Sequence, residues 1–148
     1  MAKNGFSMSN RVAVEQLTTT TKTLTADDCG KVFVITSADA GGGVTITMPD
    51  AVAAGDGWNV ELLFESGSSA AVNQAVVVSS SAAVGGEPFK RRGTVLSATA
   101  TGFAGSSAAI THSAGNQQTG DLIKIVNVNA SQGGYFWSVE TLTSASIS

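Results

Sequence analysis

The chain has 148 residues, 13% of them charged, a net charge of −3, one cysteine and one histidine. That length suits one domain with a core, or a domain and an arm. The negative charge argues against a nucleic-acid partner held by phosphate contacts, and a lone Cys29 excludes an internal disulfide or a cysteine-pair metal site.

The N-terminal stretch MAKNGFSMSNRVAVEQL has no apolar h-region, so no signal peptide is expected. No apolar run approaches the roughly 18 residues of a membrane helix, so no membrane partner is expected, and synthesis in the cytoplasm fits the cysteine usage. Val, Ile, Leu and aromatic residues recur along the whole chain, which is not a disordered composition.

Period-two alternation is the dominant pattern. Strands are predicted at 11–17, 21–25, 31–36, 43–48, 57–65, 73–79, 93–98, 107–112, 120–128 and 134–142. KVFVIT at 31–36 is apolar on both faces, as in a strand buried between layers. PDAVAA at 49–54, followed by Gly55 and Gly57, allows one helical turn. Turn signals separate the strands: DDCG, ADAGGG, ESGSS, GGEP, TGFAGSS, SAGN and SQGG. The predicted fold is all-β, an antiparallel sandwich or barrel-like domain over 18–148. Its predicted core includes Val32, Val34, Ile46, Trp58, Val60, Leu62, Ile123, Ile125, Trp137 and Val139. Small residues dominate 66–86 and 97–115, which suits loops or subunit contacts better than a monomer core.

The residues that could carry chemistry read as structural. His112 has no nucleophile motif beside it, so a structural role is expected. Asp27 and Asp28 lack the spaced ligands of a calcium loop and read as a turn stabilised by Asp side chains. The triple glycine at 41–43 is followed by neither a Lys-Ser nor a Lys-Thr pair, so it reads as a hairpin turn, not a phosphate loop. Lys90, Arg91 and Arg92 form the basic cluster of the chain and read as a solvated loop, or as a contact to an acidic partner. Trp58 with Glu61 and Trp137 with Glu140 pair an aromatic with a carboxylate, as a sugar site would need. Three-residue spacing on a strand puts each pair on opposite faces. No enzyme, metal, cofactor or small-molecule substrate is expected.

Three phrases occur together: LTADDCGKVFVI at 24–35, VTITMPDAVAAGDGWNVELLF at 44–64, and TGDLIKIVNVNASQGGYFWSVETL at 119–142. The set resembles small virion proteins of tailed bacteriophages, particularly head decoration (cement) proteins, with related phrases in tail-fibre and spike segments. The third phrase departs from the pattern, because its turn is longer and Asn127, Val128 and Asn129 extend the first strand. The resemblance implies a β-rich protein on the outer capsid surface, usually a homotrimer, that holds neighbouring major capsid proteins together. A tail-fibre receptor-binding domain and a carbohydrate-binding sandwich are the competing readings.

Residues 1–17 precede the first phrase. Lys3 and Arg11 make this segment slightly basic, and Phe6, Met8, Val12 and Val14 supply apolar anchors at even spacing, as an extended arm offers to a groove or sheet edge. The expected capsid contacts are these residues with Lys90, Arg91 and Arg92. The competing reading of 1–17 is an ordinary first strand.

Overall fold

The computed structural model describes residues 12–36, 44–65, 76–79, 89–91, 106–107, 109–112, 120–130 and 134–142. In chain order the elements are β1 (Val14–Leu17), β2 (Thr21–Thr23), β3 (Val32–Thr36), β4 (Thr45–Thr47), α1 (Ala51–Ala54), β5 (Asn59–Glu65), β6 (Val76–Ser79), β7 (Phe89–Arg91), β8 (Ser106–Ser107), β9 (Ala109–His112), β10 (Leu122–Ala130) and β11 (Gly134–Leu142). A 3-10 turn at Ala26–Asp28 precedes β3. The described chain is all-β apart from these two short turns of helix.

The strands divide into two sheets. Sheet A runs β1-β3-β5-β10-β11-β7-β8, and sheet B runs β2-β4-β6-β9. From β1 to β6 successive strands alternate between the sheets, and each pairs in parallel with the strand two before it. Later pairings are antiparallel for β5 with β10, β10 with β11, β7 with β8 and β6 with β9, while β11 and β7 are parallel. The expected purely antiparallel arrangement is therefore corrected to a mixed one. Among the described residues neither strand order closes on itself, so no barrel is formed there.

The triple glycine at 41–43 lies outside the described residues, but its hairpin reading is also corrected. The flanking strands β3 and β4 belong to different sheets and do not pair. A turn signal marks where a strand ends. It does not say whether the chain returns beside that strand or crosses to the facing layer.

One apolar cluster joins the sheets. Sheet A contributes Leu17, Phe33, Ile35, Val60, Leu62, Phe64, Phe89, Ile123, Ile125, Trp137 and Val139, and sheet B contributes Ile46 and Ile110. Eight of the predicted core residues are buried; Val32 and Val34 are only half-buried, and Phe33 and Ile35 take their place. KVFVIT is apolar at both phases, so alternation could not choose its inner face. Register chooses it, because Phe33 lies beside Leu62 and Ile35 beside Phe64.

β7 is a further correction. Lys90, Arg91 and Arg92 read as a solvated loop, yet Lys90 and Arg91 follow the fully buried Phe89 in a strand that pairs with both β11 and β8. One large aromatic side chain outweighs the polar character of its neighbours, since burying it removes a large apolar area from water. The strand predicted at 93–98 lies outside the described residues.

Candidate docking surface

The three phrases of the sequence meet in space, and their residues account for the local structure. In the first, Asp28 Oδ2 accepts from the Thr25 N–H at 2.9 Å and from the Thr25 hydroxyl at 3.2 Å. Lys31 Nζ donates to Asp28 Oδ1, closing the turn before β3. Gly30 in this turn has φ of 76°, a left-handed value that costs glycine little. Asp28 therefore stabilises the turn as the sequence suggested, and the charge that balances it is Lys31. In the second phrase, Asp50 caps α1 by accepting from Ala53 N–H at 2.8 Å.

Side chains then tie phrase to phrase. Trp58 Nε1 donates to the Ala26 carbonyl at 3.1 Å, linking the second to the first. Asn127 Nδ2 donates to the carbonyls of Ala51 and Gly55 at 2.7 and 2.8 Å, linking the third to the second. Asn127 is fully buried in the middle of β10 and holds the α1 turn against sheet A. Sequence reasoning saw Asn127 only as a strand extension. The available signal was phase: Ile123, Ile125 and Asn127 share one face, so a polar residue stands where the alternation calls for an apolar one.

Charged side chains gather at the β1 end of sheet A. Glu15 Oε1 meets Lys22 Nζ at 2.6 Å and Glu15 Oε2 meets Lys31 Nζ at 3.6 Å. Both ammonium groups lie over the Phe33 ring, at 5.4 and 6.0 Å from its centroid. The hydrogen bond from Lys22 holds the Glu15 carboxyl below its ordinary value. For Asp28, burial pushes the carboxyl up, but Lys31 and the Thr25 donors outweigh it and the net shift is downward. Asp28 and Glu15 together raise the Lys31 ammonium. These groups neutralise one another and close the turn before β3.

The opposite face of sheet A has a different character. Register sets Gln16, Val34, Leu63, Leu122 and Leu142 abreast on it, and beside them Val14, Val32, Glu61, Lys124 and Glu140. Val34, Leu63 and Leu122 are half-buried, and Leu142 is 44% exposed. Lys124 bridges Glu61 across the neighbouring row at 3.3 Å. At the β1 edge the polarity is inverted: Glu15 lies beside Phe33 on the core side, while Val14 is turned outward and 66% exposed, with Val12 59% exposed ahead of it. The outer face thus offers a row of aliphatic side chains across four strands that meets Gln16 on β1, while the exposed Val14 stands in the neighbouring row with Val32, Glu61 and Lys124.

Of the residues expected to make contacts, Val12 and Val14 lie at this edge. Lys3, Phe6, Met8, Arg11 and Arg92 lie outside the described residues. Lys90 and Arg91 belong to β7, opposite Ser138 and Val139 of β11, so the structure does not bring them beside Val14. His112 ends β9 opposite Val76. Trp58 and Trp137 are buried and pack edge to face at 5.5 Å, so neither offers a ring on which a sugar could stack. Among the described residues no group of three or more His, Cys, Asp or Glu could hold a metal ion, and no helix is long and apolar enough to cross a membrane. No protein-family model matches the chain, and neither a curated protein nor a solved structure shows significant similarity to it.

Proposed function

We propose that this is a structural virion protein, non-enzymatic, that decorates the outer surface of a bacteriophage capsid and bridges neighbouring major capsid proteins. The observation that carries this reading is the outer face of sheet A, which holds the aliphatic row from Val34 to the exposed Leu142 and, at the β1 edge of the sheet, the exposed Val12 and Val14. Exposed apolar side chains gathered on one sheet face suit a contact with another protein. The resemblance of the three phrases to head decoration proteins supplies the kind of partner.

In this reading the two sheets pack as an open sandwich, and the residues ahead of β1 form an arm. Lys3, Phe6, Met8 and Arg11 on that arm continue the surface begun by Val12 and Val14. Lys90, Arg91 and Arg92 supply basic contacts to an acidic patch of the lattice. Copies of the chain associate, most simply as a homotrimer.

Capsids lacking the protein, mixed with the purified chain and sedimented, should carry it down in a fixed ratio. Val14→Lys combined with Leu142→Lys should weaken that binding at least tenfold while leaving the circular dichroism spectrum unchanged. A chain that stays in the supernatant sinks the capsid role, and binding to host cells or glycans instead would favour the tail-fibre reading. Light scattering that returns the monomer mass of 14.9 kDa would remove the trimer.

A further inference from the structure

We infer that Asn127 and Trp137 share one internal water molecule, held between the Trp137 indole Nε1 and the Asn127 Oδ1. Both side chains are fully buried. Among the described residues, these two atoms are the buried side-chain nitrogen and oxygen without a hydrogen-bond partner. One is a donor and the other an acceptor. Buried polar atoms are nearly always bonded to protein or to ordered water.

The sheet brings the two together. Asn127 lies directly across from Trp137 in the β10–β11 ladder. Its N–H donates to Trp58 O at 2.7 Å, and its carbonyl accepts from Gly57 N–H at 2.9 Å. Both main-chain groups of Asn127 therefore turn toward β5 and away from β11. That makes Asn127 and Trp137 a non-hydrogen-bonded pair, the kind whose Cα atoms approach to about 4.5 Å and whose side chains lie closest. Both project from the core face, which also carries Ile125 and Val139.

Neither group can turn to meet the other without loss. The Asn127 amide is locked because Nδ2 donates to two carbonyls, at 2.7 and 2.8 Å. Flipping it would set Oδ1 against the oxygens of Ala51 and Gly55, placing acceptor against acceptor. The Trp137 ring is held by its edge-to-face contact with Trp58, the planes 75° apart. A bridging molecule that accepts from the indole and donates to the amide satisfies both atoms with the side chains left in place. Water is the smallest molecule with that pairing, and two polar partners are the lower limit for a buried water.

The test uses the unmodified chain labelled with nitrogen-15. Trp137 Hε1, assigned through bonds, should show a water cross-peak with the sign of a long-lived bound molecule. Trp58 Hε1, whose partner is the Ala26 carbonyl, should show none and serves as the internal control. Tyr135 is a neighbour on the same strand and packs against the core, so its hydroxyl could relay such a signal. In Tyr135→Phe the cross-peak should persist; its disappearance would overturn the assignment to water. The absence of any water peak at Trp137 in the unmodified chain would overturn it too. So would a crystal structure in which Nε1 bonds Oδ1 directly.

Discussion

Two regions of this protein use the same alternating code to different ends. In the β10–β11 ladder the strands are separated by residues 131–133 and pair along their whole length, from Leu122 with Leu142 to Ala130 with Gly134. In the first part of the chain, β1 to β6, no strand pairs with the next one. Val14 meets Val32, Val32 meets Glu61, and the strand between belongs to the facing sheet. The ladder is local and needs little loop closure. The alternating part needs a longer loop closed for each pairing, and closure entropy must be met before those contacts form. Alternation therefore specifies a face in both regions but a partner only in the ladder. What joins the non-local part to the ladder is the pairing of β5 with β10 and the contacts of Asn127 with Ala51 and Gly55.

Both regions rest on the edge-to-face pair of Trp58 and Trp137. Trp137→Ala removes a fully buried side chain in contact with Trp58 and should cost about 3–5 kcal/mol in urea denaturation. Both regions should unfold together in a single transition. An unchanged midpoint would show that the ladder is not part of the common core.

A smaller effect sharpens the choice of face in β3. Phe33→Ala should cost about 3 kcal/mol, because the ring is fully buried between the sheets. Val34→Thr, on the half-buried outer face, should cost about 1 kcal/mol or less. Thermal melts of the two variants decide it, and equal losses would contradict the register of β3 with β5.

The smallest effect concerns the charged closure of the turn before β3. Asp28 has a folded value below its unfolded one, so its contribution is present above the unfolded value of about 3.9. That contribution is lost as pH falls through the lower, folded value. Glu15 acts in the same direction, less strongly because it is more exposed. Asp28→Asn should cost about 1–2 kcal/mol at neutral pH and should flatten the fall of melting temperature on acidification below about pH 4. A variant with the parent's acid profile would assign that fall to other carboxylates.

Much of the architecture was legible in the chain. The strands at Thr21–Thr23, Val32–Thr36, Asn59–Glu65, Leu122–Ala130 and Gly134–Leu142 fall where alternation and turn residues predict them, within a few residues. The α1 turn follows from Pro49, Asp50 and the glycines after it. β7 was not legible, because a strand of three residues shows no period and Phe89 stands alone among charges. Of the candidate surface, the even spacing of Val12 and Val14 was visible, but the row of Val34, Leu63, Leu122 and Leu142 was not. Those residues are far apart in the chain and become neighbours only through register.

By itself the sequence determined an all-β chain, most of its strands, the Asp28 turn, the helical turn before Gly55, and a terminal ladder with a tryptophan in its core. Each of these rests on local physics: the two-residue period of a strand, the reach of a short side chain to its own backbone, and the freedom of glycine. The tertiary structure decided which sheet each strand joins, which face of β3 is inside, and that Asn127 and not an apolar residue stands opposite Trp137. With two sheets enclosing one apolar cluster, a strand with a buried face satisfies its own pattern in either layer. The choice is made by cross-sheet packing and by hydrogen bonds between residues distant in sequence, as when Asn127 of β10 reaches the carbonyls of Ala51 and Gly55.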